Sequence, residues 1–157
     1  MKKTISIIIS IAMCAMLASC GGVKNEVSDT EQPTLIDTMS LEEKVGQILF
    51  VRCVDDEQTD DLMSIKPGGI LMFGRDFEGL TKDEVKEKIQ SYQDKSDIPL
   101  IIGADEEGGT VVRVSSNPNL APEKFKSPQE IYNEGGMDAV VENATEKSEL
   151  LLSLGVN

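Results

Sequence analysis

The chain has 157 residues, with 28 Asp and Glu against 15 Lys and Arg and a formal net charge of −13. Such a charge repels polyanions, and no basic patch with interleaved aromatics is present, so the composition argues against nucleic acid as a partner. Histidine is absent, which excludes an imidazole relay, general acid or metal ligand within these residues, while 39% hydrophobic residues suffice for an ordinary core.

Met1-Lys2-Lys3 is a positive start, and Ile5 to Leu17 is an apolar run too short to span a membrane as a mature helix. Leu17-Ala18-Ser19-Cys20 resembles the cleavage box of bacterial lipoproteins. Residues 1–19 are therefore expected to be a lipoprotein signal peptide, with Cys20 the lipid-bearing first residue of an exported protein held on the outer face of a membrane. The alternative is an ordinary secretory signal with Cys20 incidental; the box, the following Gly21-Gly22 and the polar stretch after them favour lipidation. Cys14 leaves with the signal, so Cys53 stands alone and no disulfide framework is available. Residues 20–33 lack apolar periodicity and read as the lipidated cysteine followed by a flexible tether. Anchoring falls to the acyl chains, because a mature chain this acidic is not held by anionic headgroups.

Ser40-Leu41-Glu42-Glu43 is a capping box that opens a helical turn, and it leads into a first strand over Gln47-Ile48-Leu49-Phe50-Val51. Asp55, Asp56 and Glu57 precede Leu62, Met63 and Ile65, a short helix with acids at its positive end. These acids lack the glycine and spacing of a calcium loop, so a solvated helix start is the better reading. Ile70 to Phe73 is the second strand, followed by Gly74-Arg75-Asp76; Arg75 is expected to pair with Asp76 or Asp105 first and to touch a ligand second. Thr81 and Glu84 form another capping box, with Leu80 and Val85 at staple spacing and Val85, Ile89 and Tyr92 along one helical face.

Ile98 to Ala104 is a short apolar run opened by proline, the pattern of a strand buried on both faces of a parallel sheet. It ends in Asp105-Glu106-Glu107-Gly108-Gly109. The strand thus delivers Asp105 to its carboxyl end, where α/β proteins bind ligands, and the glycines permit a sharp turn or a close approach. Glu106 is expected to be solvated and Glu107 to prop the loop. Ser127-Pro128-Gln129-Glu130 is a third capping box with proline at the first helical position. After Gly135-Gly136 the longest helical pattern runs from Met137 to Leu154, with Val140, Val141, Ala144, Leu151 and Leu152 as an apolar stripe and Gly155 as C-cap. Strand and helix alternate three times, which implies a parallel sheet.

Three motifs in this order resemble glycoside hydrolase family 3, in particular its β-N-acetylhexosaminidase branch: Leu41 to Gln47; Pro67 to Phe73 with Arg75; and Asp105, Glu107, Gly108, Gly109 and Arg113 on the family pattern Asp-x-Glu-Gly-Gly with a nearby Arg. Leu154-Gly155-Val156-Asn157 is similar to the lead-in to that family's fourth strand. The resemblance implies an α/β fold, the N-terminal part, about three βα units, of a (β/α)₈ TIM-type barrel. A complete barrel takes about 250 residues, so residues 34–157 are expected to be an incomplete family 3 barrel domain. It also implies an O-glycosyl hydrolase that needs no cofactor and no metal, acting with retention on terminal N-acetylglucosamine-type residues of glycans. Asp105 matches the aspartate that holds sugar hydroxyls, and Arg113 matches an arginine near the same sugar, its alternative being a salt bridge to a loop acid. Glu107, Gly108 and Gly109 match the loop support. Thr110 and Glu106 stand where the best-known members of the branch have Arg and Gln. The nucleophilic aspartate and the acid/base histidine of the branch fall on later motifs, so these residues alone are expected to be inactive. The alternatives are a non-catalytic sugar-binding surface lipoprotein or a partial barrel without function.

Overall fold

A computed structural model describes residues 33–157. The expected signal peptide, the expected lipidation site Cys20 and the expected tether as far as residue 32 lie outside the described residues. Three short parallel strands form one sheet in the order β1 (Phe50–Arg52), β2 (Gly69–Met72), β3 (Ile101–Ala104). Phe50 stands beside Gly69 and Gly69 beside Ile101; Arg52, Leu71 and Gly103 are likewise level. Helices α1 (Leu35–Thr38) and α2 (Leu41–Gln47) precede β1. A 3₁₀ turn (Asp56–Gln58) and α3 (Thr59–Ser64) link β1 to β2. Helices α4 (Gly74–Phe77) and α5 (Lys82–Gln93) link β2 to β3, and α6 (Pro128–Leu154) follows β3 after a long loop.

All three expected capping boxes form. The hydroxyls of Ser40, Thr81 and Ser127 accept from the amides of Glu43, Glu84 and Glu130, whose carboxylates accept in return from the cap amides. In α6 the backbone breaks at Gly136 (φ 69°, ψ −157°), where Gly135-Gly136 is expected to interrupt, and Gly155 closes the helix in the left-handed region at φ 93°. The first strand starts later than expected: α2 continues through Gln47, and Ile48 caps it with helical backbone angles. The ladder with β2 runs from Phe50 to Arg52. The third strand is shortened likewise to Ile101–Ala104, because β2 offers its first ladder partner at Gly69.

Alternation along the strands separates two faces. Cys53, Ile70, Met72 and Ile102 lie in one buried cluster with Val85, Ile89 and Tyr92 of α5 and Leu154 of α6. On the other face Phe50 and Ile101 are 51% and 60% exposed. The Phe50 ring lies across its neighbours: a Cβ on Gly69 would come within 2.5 Å of both the ring and Ile101 O, so that position needs glycine, whereas one on Gly103 would reach the ring at 2.6 Å and displace it. The expected stripe of α6 is only partly used. Leu150 and Leu151 pack against the core, whereas Val141 and Leu152 are exposed. Val156 is buried, and Asn157 lies along the free edge of β3, donating from its amide to Ile102 O (3.1 Å) and accepting from Ile102 N at its side-chain oxygen (3.0 Å).

Candidate active site at the carboxyl end of the sheet

Asp105 is the residue after β3, on the same face as Ile101 and Gly103, and its side chain is 44% exposed. Arg113 returns to it from eight residues onward: Nη2 is 3.8 Å from Asp105 Oδ2. The two expected sugar-binding residues are therefore brought together. The alternative expected for Arg113, a salt bridge to a loop acid, is also present, and the acid is Asp105 itself. At 3.8 Å it is an ion pair without hydrogen-bond contact, so both groups keep capacity for a ligand.

The loop that sets this geometry is held by Glu106. Its carboxylate is buried and accepts from the backbone amides of Arg113 (2.7 Å), Val114 (2.6 Å) and Ser115 (3.3 Å), and from the Ser115 hydroxyl. The expectation of a solvated Glu106 is corrected. Its neighbour Glu107 is exposed, and what that residue contributes to the loop is its backbone carbonyl, which accepts from Lys147 Nζ of α6 at 2.8 Å. Gly108 and Gly109 take φ values of 98° and 66°, and a Cβ on Gly108 would fall 2.2 Å from Lys126 O. Their amides donate to Val111 O (3.0 Å) and Phe125 O (2.9 Å), which ties the turn to the segment before α6.

Further out, buried Asn117 donates to Phe77 O (2.6 Å) and Leu80 O (2.8 Å), and so anchors the long loop to α4. Nothing in its sequence neighbourhood marks it beyond a turn-forming Asn-Pro-Asn.

Arg75 leaves the site. It pairs with Asp76 (Nε to Oδ1, 3.8 Å) and Asp55 (Nη2 to Oδ1, 3.8 Å) and donates to Cys53 O (3.3 Å). The expected ion pair with Asp76 is thus present and one with Asp105 is not. Asp76 is buried and accepts from Phe73 N at 2.7 Å. Cys53 is a buried free thiol whose sulfur lies 3.0 Å from the Tyr92 hydroxyl, and burial pushes its pKa up. A thiol held protonated is a poor nucleophile. Among the described residues no three His, Cys, Asp or Glu side chains are grouped to hold a metal ion.

Arg52 and Phe73 carry no ligand-site signal in the motifs, and the structure adds both to the site. Arg52 ends β1 on the open face, its guanidinium carbon 4.6 Å from the centre of the Phe73 ring, and that of Arg113 is 5.8 Å from the same centre. The signal available was strand parity, which places residues 50 and 52, 71 and 73, and 103 and 105 on one face.

A parallel sheet with a strand-end Asp, a glycine turn and a returning Arg agrees with one family model. Residues 40–157 match the glycosyl hydrolase family 3 N terminal domain. The chain belongs to glycoside hydrolase family 3. The family's N-terminal domain is of TIM-barrel type, and three parallel strands joined by helices correspond to part of such a barrel. Membership makes this a glycosyl hydrolase domain and carbohydrate its substrate class. The comparison with curated proteins gave no match.

Proposed function

We propose that this domain is the sugar-gripping portion of a retaining, β-N-acetylhexosaminidase-like enzyme that removes terminal N-acetylglucosamine-type residues from glycans and is exported and anchored through Cys20. The observation that carries the reading is Asp105, half exposed at the end of β3 with Arg113 Nη2 3.8 Å away. A carboxylate with two accessible oxygens accepts from neighbouring sugar hydroxyls at charge-assisted strength, and a guanidinium beside it can donate to a ring or acyl oxygen.

Retention needs two carboxyl-type groups, or an equivalent acid/base, about 5–5.5 Å apart across the scissile bond. Adjacent carboxylates do not supply them here. Asp105 faces the open side, whereas both oxygens of Glu106 are engaged by the loop. No histidine exists in residues 1–157 to act as the branch's acid/base. These residues therefore bind sugar and do not hydrolyse it, which is also what the sugar-binding lipoprotein reading requires.

Calorimetry of folded residues 20–157 with N-acetylglucosamine should show binding that Asp105→Ala weakens about tenfold or more, the scale of a lost charge-assisted hydrogen bond. No binding by a folded sample rejects the sugar site. Hydrolysis of an aryl N-acetylglucosaminide by the same sample rejects the assignment of catalysis to other residues.

A further inference from the structure

We propose that Arg52 and Arg113 form an anion-accepting subsite beside Asp105, so that the glycan held there carries a negatively charged substituent, a carboxylate or a phosphate ester. The inference rests on the sugar-binding reading of Asp105. It goes beyond that reading in assigning a charge to the substrate and a specificity role to Arg52.

The chain has three arginines, and all three lie just beyond or at the carboxyl ends of β1, β2 and β3 or on the loop returning to them. Arg75 shows what this acidic chain does with a structural arginine: two carboxylates and a carbonyl surround it. The other two are treated differently. Arg52 makes no hydrogen bond or ion pair among the described residues, and its one recorded partner is the Phe73 ring. Arg113 donates no side-chain hydrogen bond among them, and its Nε is buried without an acceptor. Leaving a buried donor unpaired is unfavourable.

Two guanidiniums around one ring repel each other, and the single carboxylate beside them, Asp105, contacts only Arg113. The cluster therefore carries a local excess of one positive charge in a protein of net charge −13. Each guanidinium offers five N–H groups in a planar fork, which fits the two oxygens of a carboxylate or phosphate. An oxyanion seated there relieves the repulsion and supplies acceptors, while Asp105 keeps the hydroxyls of the same sugar.

The test is a competition between matched sugars on folded residues 20–157 at low salt: N-acetylglucosamine 6-phosphate against N-acetylglucosamine, and glucuronate against glucose. At least one charged member should bind about tenfold tighter than its neutral partner. The pair that shows the preference identifies phosphate or carboxylate as the group. Salt should erode the preference. In Arg52→Gln the ratio of the two affinities should fall close to one, and Arg52→Lys should restore part of it, since the charge returns without the fork. Equal affinities within both pairs, or a preference that survives Arg52→Gln, overturn the anion subsite and leave the sugar site standing. Failure of all four sugars to bind a folded sample rejects the sugar site and this inference with it.

Discussion

Replacing Glu106 by alanine would strand the amides of Arg113, Val114 and Ser115 and the Ser115 hydroxyl, all of which donate to that one carboxylate. With about 1–3 kcal/mol for each buried donor left unpaired, and some relief from entering water, the expected loss is at least about 3 kcal/mol in urea unfolding. Glu106→Gln should cost less, because one oxygen and the shape remain. A midpoint unchanged in the alanine variant would show that the glycine turn alone holds the loop. Glu106 and Glu107 are chemically equivalent neighbours, and composition gives no reason to choose between them. The alternation of β3 does give one: Ile102 and Ala104 face the helices, so Glu106 continues into the core, while Ile101, Gly103 and Asp105 continue the open face. The same parity would have placed Arg52 with Asp105. Asp105 itself was legible because an apolar strand ending in charge leaves little choice of where its next residue goes.

The helix starts were the most legible elements, since a capping box is a local device whose partners lie three residues apart. Glu43 adds a longer link: its carboxylate also accepts from Lys66 Nζ at 2.5 Å, tying α2 to the chain entering β2. Lys66, with Ser40 second, holds the Glu43 carboxyl down at about 2, against an ordinary value of 4.5. A carboxyl lowered in the fold contributes stability that is present above its unfolded value and fades as pH falls from about 4.5 toward 2. Carboxyl NMR should find the Glu43 midpoint near 2. In Lys66→Ala it should rise toward the ordinary value without reaching it, because the Ser40 amide still donates. An unmoved midpoint would assign the whole effect to the cap. Strand limits were less legible than helix starts for a physical reason. The apolar run 47–51 says that residues avoid water, but ladder pairing decides which of them become strand, and the partner Gly69 is far away in sequence.

At the scale of the molecule, the apolar periodicity of β1, β3 and α6 was readable, and what covers it was not. Phe50 and Ile101 remain exposed on the sheet, Val141 and Leu152 on α6, and Leu41, Val45, Leu49 and Ile65 line an apolar hollow beside α2. A barrel buries the inner face of each strand against the others. Three strands cannot close, so the inner side chains of β1 and β3 meet solvent here. Apolar area is worth about 25 cal/mol per Å² when removed from water, and an open patch of this kind favours association. Residues 33–157 prepared alone should therefore sediment above the monomer mass at tens of micromolar and bind a hydrophobic dye. Ile101→Thr should reduce both, because it keeps β-branching while making polar a strand position that is 60% exposed. The substitution lies four residues before Asp105, so sugar binding by the same variant separates loss of association from loss of the site. A monomeric sample with a cooperative melt and no dye binding would show that the helix-side cluster of Cys53, Ile70, Met72, Ile102 and their partners stabilises the domain with its inner face open to water.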